Sequence, residues 1–384
     1  MKIIIAADKF KGSLTSFEVC NAILQGIKQV DENIVVQSFP MADGGDGFAK
    51  VMQHYTQTKT IECNTFDPLQ RPMKAAYQWN AITKTAIIEM ATASGLVLLQ
   101  LHERNPMKTS SYGTGLLIKD AISKGAEKII LGIGGSATND AGMGILRAMG
   151  FIFIDVHNKE LTAAGENLSA IEKIIPPAGL PAVHFEIACD VQNVLYGAQG
   201  AAFVYAPQKG AAQEQVRLLD DGLRHFAEII MRQTNYNVAE TKGMGAAGGI
   251  AAGLSPFLKV VIEQGTQIII EASNIKNSLA ETGLIITGEG KIDNQSREGK
   301  LISSIAMLAK QYHIPVMALC GSLQLDNKAI KELGLDHAYS IMNASISIEY
   351  SMKNAAELLR NETARIISSL GKGFLPPAFG EGLG

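Results

Sequence analysis

Five loops of this sequence combine glycines with acidic or hydroxyl side chains, and each follows an apolar run that predicts a β-strand. The first loop, residues 8–13, leaves a strand and enters a helix, so its free backbone N–H groups suit a carboxylate or a phosphate. Asp8, Lys11 and Ser13 are its candidate ligand-binding residues, and Lys11 would add a point charge. An ordinary turn with a solvated lysine is the alternative.

The second loop, residues 42–47, places three glycines around Asp43 and Asp46. Glycines let a backbone approach a ligand closely, and the two carboxylates can accept hydrogen bonds from substrate hydroxyls or hold a cation. An N-cap followed by a tight turn explains the same residues about equally well.

The third loop, residues 132–142, joins a buried strand to a helix and has the composition of a phosphate cradle. Glycine N–H groups, two hydroxyls and the dipole of the following helix favour the anionic tail of a nucleotide. No Gly-Lys-Ser/Thr follows, so the loop is not a Walker A loop, and a packing turn is its main rival. The residues predicted to bind the nucleotide are Gly134, Gly135, Ser136, Ala137, Thr138 and Asp140.

The last two loops carry further carboxylates at the ends of apolar strands. Asp190 follows such a strand and is a candidate for ligating Mg²⁺ or for accepting a hydroxyl proton, although a turn-forming Asp-x-x-Asn is an equally good interpretation. The loop at residues 287–296 contains Glu289, Lys291 and Asp293 around two glycines. That is more polar functionality than a turn needs.

In both terminal segments of the chain, predicted strands alternate with predicted helices. The N-terminal end reads as a strand at 3–7, a helix at 16–29 with Thr15 and Glu18 as a capping box, and a strand at 34–39. The C-terminal end supplies strands at 283–287, 315–320 and 337–342, and helices at 301–312, 328–333 and 349–370. Because parallel crossovers are right-handed and connections are short, we expect one flavodoxin-like, doubly wound parallel sheet built from both ends.

The middle of the chain interrupts this pattern. It begins with a β-rich stretch of runs at 59–65, 73–79 and 85–89 separated by turn clusters, which predicts antiparallel pairing, and continues with alternating helices and strands. The fold class is therefore α/β, with a flavodoxin-like domain at 1–65 plus 283–372. An inserted α/β domain with a mixed sheet is expected at 66–282, and a flexible tail rich in proline and glycine at 373–384.

Composition excludes several classes of function. Among the 384 residues, 34 basic and 37 acidic side chains give a net charge of −3. This charge provides no positive electrostatic potential for binding nucleic acid or an anionic membrane surface. The apolar runs are far shorter than the roughly 20 residues that cross a bilayer. Scattered histidines support no zinc site.

The chain starts without a secretory leader, and four widely spaced cysteines indicate reduced thiols, so we expect a cytoplasmic protein.

Taken together, the loops resemble those of the type I glycerate kinase family. The motifs that carry the resemblance recur here in the expected order, up to about Leu370: D-x-F-K-G-S-L, A-D-G-G-E-G, G-I-G-G-S-A-T-N-D, A-C-D-V, G-A-A-G-G and G-E-G-x-x-D-x-Q. Two positions depart from the pattern. Asp46 stands where a glutamate is usual, and Lys9 stands where a serine is common.

The resemblance implies transfer of the γ-phosphoryl group of ATP to a hydroxyl of D-glycerate, and 2-phosphoglycerate is favoured over 3-phosphoglycerate as the product. It also implies a flavodoxin-like domain from both chain ends with a second α/β domain between them. The main alternatives are a kinase of another small hydroxy acid and a non-catalytic sensor of a phosphorylated metabolite. Homo-oligomerisation is left open.

Phosphoryl transfer requires aligned reactants and neutralised charge, which suggests a role for each candidate residue. Asp190 is the first choice for the catalytic base and Asp293 the second, with Lys11 as a further catalytic residue. Mg²⁺ would bind phosphate oxygens and a carboxylate. Substrate-binding roles are expected for Asp8, Ser13, Asp43, Asp46 and Lys291, and metal-binding roles for Asp190, Asp293 and Glu289. The loops are expected to meet in one crevice.

Overall fold

The structure is a computed structural model that describes residues 2–293, 301–342 and 346–370. It divides into two compact units, which are described separately. Unit one is Met1–Asp43 together with the chain from Ile269 onward, and unit two is Gly44–Ile268. The expected tail at 373–384 lies outside the described residues.

This division differs from the boundaries expected at 65/66 and 282/283. The strand Lys59–Phe66 pairs with Pro72–Asn80 in the sheet of unit two, so the chain has entered unit two well before residue 66. At the other boundary, Lys2 Nζ donates a hydrogen bond to Ser278 O at 2.9 Å, which ties that segment to unit one. Long-range pairing therefore places both boundaries earlier in the chain than the change of sequence pattern suggests.

Thirteen strands lie in the described residues. In chain order they are β1 (Lys2–Ala7), β2 (Val35–Ser38), β3 (Lys59–Phe66), β4 (Pro72–Asn80), β5 (Thr85–Glu89), β6 (Lys128–Gly132), β7 (Ile152–Ile154), β8 (Lys173–Ile175), β9 (His184–Ala188), β10 (Lys259–Glu263), β11 (Thr282–Ile292), β12 (Val316–Leu323) and β13 (His337–Ser340).

The same residues contain thirteen α-helices. In chain order they are α1 (Ser16–Val30), α2 (Phe48–Tyr55), α3 (Ala91–Ser94), α4 (Tyr112–Ser123), α5 (Met143–Ala148), α6 (Ala201–Tyr205), α7 (Gln213–Thr234), α8 (Ile250–Leu254), α9 (Gly265–Ser273), α10 (Leu301–Gln311), α11 (Asn327–Glu332), α12 (Ile348–Lys353) and α13 (Ala355–Leu370).

Unit one is built on a five-stranded parallel sheet in the order β13-β12-β11-β1-β2. Counted within the unit, this is the flavodoxin-like order 2-1-3-4-5. The central strand β1 is a continuous apolar run, and Ile3, Ile4 and Ile5 are fully buried, as expected for a parallel strand covered on both faces. The predicted fold class is confirmed for this sheet.

Helix α1 begins where the capping box predicts. Glu18 N donates to Thr15 Oγ1 at 3.3 Å, and Thr15 N donates in return to Glu18 Oε2 at 2.8 Å. Two N–H groups that the first turn cannot bond are thereby satisfied. The buried face of α1, including Val19, Ile23 and Ile27, packs into the core of unit one.

Helices α1 and α13 pack so closely that no side chain fits at Gly26. A Cβ atom built there would lie 2.4 Å from the carbonyl oxygen of Arg360 and 2.7 Å from Thr363 Cβ. We expect Gly26→Ala to lower the free energy of unfolding by about 1–3 kcal/mol, because this overpacking outweighs the roughly 1 kcal/mol that alanine contributes to a helix. Urea denaturation measures the change. Gly179→Ala, which points into open space, is the control, and equal stability of the two variants would contradict the packing argument.

Unit two contains a six-stranded mixed sheet in the order β10-β9-β6-β5-β4-β3. The first four strands are parallel, and β4 and β3 run antiparallel to their neighbours. The mixed sheet predicted for the inserted α/β domain is confirmed. Strand β7 pairs with β8 in a separate two-stranded sheet.

Two segments differ from the sequence-based expectation in ways that matter for the site. Strand β11 continues to Ile292, so Glu289 and Lys291 lie on a strand rather than in a loop. It continues because Gly288 and Gly321 allow β11 and β12 to pair closely: a Cβ at Gly288 would lie 2.4 Å from Leu319 O. The expected helix 349–370 is two helices, since Asn354 Nδ2 donates to Tyr350 O at 2.9 Å and ends α12.

Candidate active site

A cavity of about 460 Å³ opens at the carboxyl end of the sheet in unit one. Its wall is formed by the loop after β1, the ends of β11 and β12, and the segment after β13. The strand order reverses between β1 and β11, and open α/β sheets bind ligands at such a switch point. The Asp8 backbone N–H donates to Gly288 O at 2.9 Å, which joins the two strands at this edge.

The cavity brings together most of the residues predicted for substrate binding. One part of its wall is charged and another is apolar. The charged side chains are Asp8, Lys9, Lys11, Asp43, Glu289 and Lys291, and Ser13 lies beside them. The apolar side chains are Phe10, Ile341, Met342, Ile348, Met352 and Ala355. A small anionic molecule with hydroxyl groups therefore finds both lysines and hydrogen-bond acceptors here.

Alternation along β11 positions two of these charges. Glu289 and Lys291 are two residues apart on the strand, so their side chains leave the same face, and both line the cavity. Asp293 follows the strand, and Lys291 Nζ lies 2.9 Å from Asp293 Oδ2. The predicted acids and lysine of this segment are thus neighbours.

Asp8 is the most deeply buried carboxyl of the cavity wall, with 7% of its surface exposed. Burial raises the pKa of Asp8 from 3.8 to about 7, and the nearby charges of Asp43 and Glu289 act in the same direction. Lys9 opposes the shift through its charge and through its backbone N–H, which donates to Asp8 Oδ1 at 2.6 Å. A carboxyl of this kind can hold or release a proton near neutral pH.

Lys9 and Ser13 tie the first loop to its surroundings. Lys9 Nζ lies 3.2 Å from Asp43 Oδ1 and 3.7 Å from Asp8 Oδ1, so this lysine, which departs from the family pattern, places its charge at the cavity. The Ser13 hydroxyl donates to Met352 O at 2.6 Å and holds the loop against α12. Its hydrogen is therefore used within the protein, while its oxygen can still accept a bond.

The predicted loop at 42–47 is divided by the boundary between the units. Asp43 belongs to unit one and lines the cavity, whereas Asp46 belongs to unit two and is exposed. Within unit two, Gly134 N donates to Gly44 O at 3.3 Å, and a Cβ at Gly134 would lie 2.4 Å from Gly45 Cα. Gly134 must therefore be glycine for the two loops to pack this closely, and a Cβ at Gly44 would lie 2.9 Å from Ala188 O.

The glycine-rich loop itself runs from β6 to α5 in unit two. Neighbouring segments fix it: Leu96 N donates to Gly135 O at 2.9 Å, and Ala137 N donates to Ser94 O at 2.9 Å. Within the described residues, the backbone N–H groups of Gly135, Ser136 and Thr138 donate to no protein acceptor. Gly135 adopts a φ of +71°, which favours glycine. Unused donors on a rigid loop fit the predicted phosphate cradle.

Asp140 has a role different from the predicted one. It is fully buried, and its Oδ2 accepts hydrogen bonds from Ser111 N and Ser111 Oγ, both at 2.8 Å, and from Gly144 N at 3.2 Å. Burial raises the pKa of Asp140 despite these donors. Oδ1 accepts from Gly142 N at 3.3 Å, so the carboxylate holds the start of α5 and the preceding loop in place, and its full burial argues against a direct contact with a nucleotide.

Asp190 lies at the same sheet edge as the glycine-rich loop. Strands β6 and β9 are adjacent and parallel, with Gly132 opposite Ala188, so the loops that follow them emerge together. The two carboxylate oxygens of Asp190 are buried. The glycine-rich loop and Asp190, the two features predicted for unit two, thus both lie at the carboxyl end of its parallel strands.

Sequence reasoning missed Lys209, which lies at this edge as well. Its side chain is 3% exposed, and Nζ donates to Ser136 Oγ at 2.9 Å and to Thr138 O at 2.7 Å. A lysine followed by glycine after a short turn reads as an exposed residue, so the sequence carries no signal for it.

Two properties of the described residues bear on the class of protein. Within residues 2–293, 301–342 and 346–370, no group of three or more His, Cys, Asp or Glu side chains is arranged to hold a metal ion. No helix of this part of the chain is both long and apolar enough to span a membrane.

Comparison with known proteins agrees with the geometry. The model of the glycerate kinase family matches residues 3–371. A glycerate kinase of Haemophilus influenzae is 41% identical, covering 96% of this chain and 97% of its own, and a glycerate 2-kinase of Escherichia coli is 37% identical, covering 97% and 99%. A crystal structure of a candidate glycerate kinase 2 from Salmonella typhimurium LT2 has a TM-score of 0.82 at 38% identity, covering 97% and 99%.

The switch-point cavity, the glycine-rich loop and a family match over nearly the whole chain point to the same chemistry. The chain belongs to the glycerate kinase family, whose members are kinases that transfer a phosphoryl group to an alcohol.

Proposed function

We propose that this chain phosphorylates the 2-hydroxyl of D-glycerate, with ATP as the donor and Mg²⁺ as the metal. The observation that carries the proposal is the cavity of unit one, where three lysines and three acids surround a space suited to a small hydroxy acid. The choice of the 2-hydroxyl is supported by the name of the relative from Escherichia coli, a glycerate 2-kinase.

In unit one, the lysines would compensate the charge of the reactants. Lys11 or Lys291 would hold the glycerate carboxylate or the γ-phosphate, and Asp8 and Asp43 would accept hydrogen bonds from the substrate hydroxyls. Ser13 would act mainly by keeping the loop against α12, since its hydroxyl hydrogen is bonded to Met352 O. Asp46, which is exposed, would contribute least.

In unit two, the backbone N–H groups of Gly135, Ser136 and Thr138 would bind the nucleotide phosphates, whereas the N–H of Ala137 is bonded to Ser94 O. Asp190 would accept the proton of the attacking hydroxyl, with Asp293 as the second candidate for that step. A base in this position removes the proton as the oxygen–phosphorus bond forms, and the departing group is ADP.

A magnesium ion fits the donor set that this proposal uses. Kinase sites usually hold Mg²⁺ through one or two carboxylates together with phosphate oxygens, so a dedicated cluster of three acids is not required. In unit one, the candidate carboxylates are Glu289 on β11 and Asp293 just after that strand, and in unit two the candidate is Asp190. The metal would neutralise charge on the transferred phosphoryl group.

Phosphorus NMR of the product tests this function directly. Incubation with ATP, Mg²⁺ and D-glycerate should give a doublet from a phosphate ester coupled to the single hydrogen at carbon 2. A triplet, from coupling to the two hydrogens at carbon 3, would contradict the choice of hydroxyl. Formation of no ester would contradict the activity itself.

A second substrate class is favoured by one observation. Glycerate has no apolar side chain, yet part of the cavity wall is apolar, with Phe10, Ile348 and Met352 among its residues. Another small hydroxy acid that carries an apolar group, such as lactate with its methyl, would use that surface. Comparing kcat/KM for glycerate, lactate and tartronate in a coupled ADP-release assay distinguishes the two, and ATP turnover with none of them would favour a non-catalytic sensor.

The cysteines support a cytoplasmic location. All four are free thiols, and burial raises the pKa of Cys20 to about 12, of Cys189 to about 11 and of Cys320 to about 12. Such thiols stay protonated and unreactive, as suits a reducing compartment.

A further inference from the structure

Lys209 is a buried ammonium directly behind the glycine-rich loop. It ends a short turn, Pro207–Lys209, that follows α6, and it reaches two acceptors on the loop: Ser136 Oγ at 2.9 Å and Thr138 O at 2.7 Å. An ammonium has three N–H donors, so these bonds leave one donor over.

The backbone around Lys209 is built to hold it there. Lys209 N donates to Ala206 O at 3.0 Å, and the following Gly210 has a φ of +95°. A Cβ at Gly210 would lie 2.2 Å from Arg104 O, so the turn is pressed against the neighbouring segment and only glycine fits. The position of the ammonium is therefore set by packing rather than by a flexible surface side chain.

The charge of Lys209 is poorly compensated by the protein. Both of its acceptors are uncharged, and a buried charge without a close counter-ion costs several kcal/mol. Asp140 is the acidic group whose charge acts on it, but that carboxylate is already bonded to Ser111 and Gly144. Arg104, on the segment packed against Gly210, adds positive rather than negative charge.

The same loop contains other buried polar atoms without protein partners. Thr138 Oγ1 and both amide atoms of Asn139 are buried and make no hydrogen bond within the described residues, and both side chains are 0% exposed. Buried polar groups in folded proteins are nearly always bonded, so orphaned ones mark a place where a further molecule completes the structure. A negatively charged molecule would accept hydrogen bonds from Thr138 Oγ1, from Asn139 Nδ2 and from the ammonium, whereas Asn139 Oδ1 needs a donor.

We propose that Lys209 is a positioning residue for the phosphoryl donor: it holds the glycine-rich loop in its binding shape from behind, and its charge is compensated when the nucleotide phosphates bind on the loop. This inference rests on the proposed function, because it takes the ligand of the loop to be a nucleotide.

Protonation gives the inference a measurable consequence. Burial lowers the pKa of Lys209 to about 7, with Asp140 opposing the shift, so near pH 8 most of the free protein carries a neutral amine at this position. Phosphates nearby favour the ammonium and raise the pKa again. Nucleotide binding near pH 8 is therefore coupled to uptake of up to one proton, whereas near pH 6 the group is already charged and takes up none.

Isothermal titration calorimetry of the intact protein with ATP and Mg²⁺, without glycerate, measures this uptake in buffers of different ionisation enthalpy. We expect proton uptake near pH 8 that is absent near pH 6 and absent in Lys209→Met. Lys119→Met, which removes an exposed lysine of α4 in the same unit, should keep the uptake. Binding of ATP by the unmodified protein without proton uptake near pH 8 would overturn the inference, and no binding at all would instead contradict the proposed function.

Kinetics provide the second measurement. Loss of a charge-assisted interaction should raise KM for ATP about 10–100-fold in Lys209→Met, while KM for glycerate changes by no more than about twofold. A purely structural lysine would predict lower thermal stability with both KM values unchanged or raised together. If Lys209→Met does not fold, Ser136→Ala, which removes one acceptor of the ammonium, should still change KM for ATP selectively, and an unselective effect would refute the inference.

Discussion

Replacing Asp190 by asparagine is expected to lower kcat by about 10²–10⁴-fold while the fold is retained. Asparagine has the same shape as aspartate but cannot take up the proton that the attacking hydroxyl must lose. Asp190 leaves the carboxyl end of β9, beside the glycine-rich loop that would hold the donor phosphates. Because the substitution does not change the size of the side chain, KM for ATP should change far less than kcat.

A coupled ADP-release assay under saturating ATP and glycerate measures the effect, and far-UV circular dichroism shows whether the fold is kept. Asp155→Asn is a matched control, because Asp155 also follows a strand but bonds only the N–H groups of its own turn, His157 and Lys159. Near-normal turnover of Asp190→Asn would remove Asp190 from the role of base. A large loss in Asp293→Asn alone would transfer that role to Asp293.

Asp8→Asn is expected to make the protein more stable at alkaline pH and less active. The pKa of Asp8 is raised in the fold to about 7, so the folded state favours the protonated carboxyl more than the unfolded chain does. As pH rises from 4 toward 7, the unfolded state loses its proton first, and stability falls until both states are ionised. Asparagine avoids this cost, and the gain should be about 2 kcal/mol larger near pH 8.5 than near pH 5.5.

Urea denaturation of the variant and the parent at the two pH values measures this difference. Asp31→Asn, at an exposed position of unit one, makes the same change of charge without burial and is the control. The activity of Asp8→Asn should fall through a KM for glycerate raised about 10–100-fold, since a charged hydrogen-bond acceptor is lost. Equal stability changes at both pH values would show that the carboxyl of Asp8 is not held in its protonated form by the fold.

The parallel sheet of unit one could be predicted because its information is local. Strand β1 is an unbroken apolar run, and strands buried on both faces have that pattern. The strand order then follows from right-handed crossovers and short connections. The start of α1 was equally predictable, since Thr15 and Glu18 lie three residues apart and bond each other.

Elements that depend on distant partners could not be predicted in this way. Strand β10 is only half buried and is fixed by pairing with β9, some seventy residues earlier in the chain. The end of β11 looked like a glycine loop, yet Gly288 and Gly321 serve to bring two backbones together. In both cases a contact made only in the folded protein decides between strand and loop.

For the site, the sequence by itself determined which chemical groups are available and that they follow strands. This was enough to identify Asp8, Lys11, Asp43 and Lys291, which share one cavity, and to identify the glycine-rich loop. Only the tertiary structure decided how those groups are charged and whether they can reach a ligand. Asp140 is fully buried and bonded to Ser111, and Lys209 donates to Ser136 from 73 residues away in the chain. Burial and pairing set pKa and accessibility, and both arise from residues far apart in the chain.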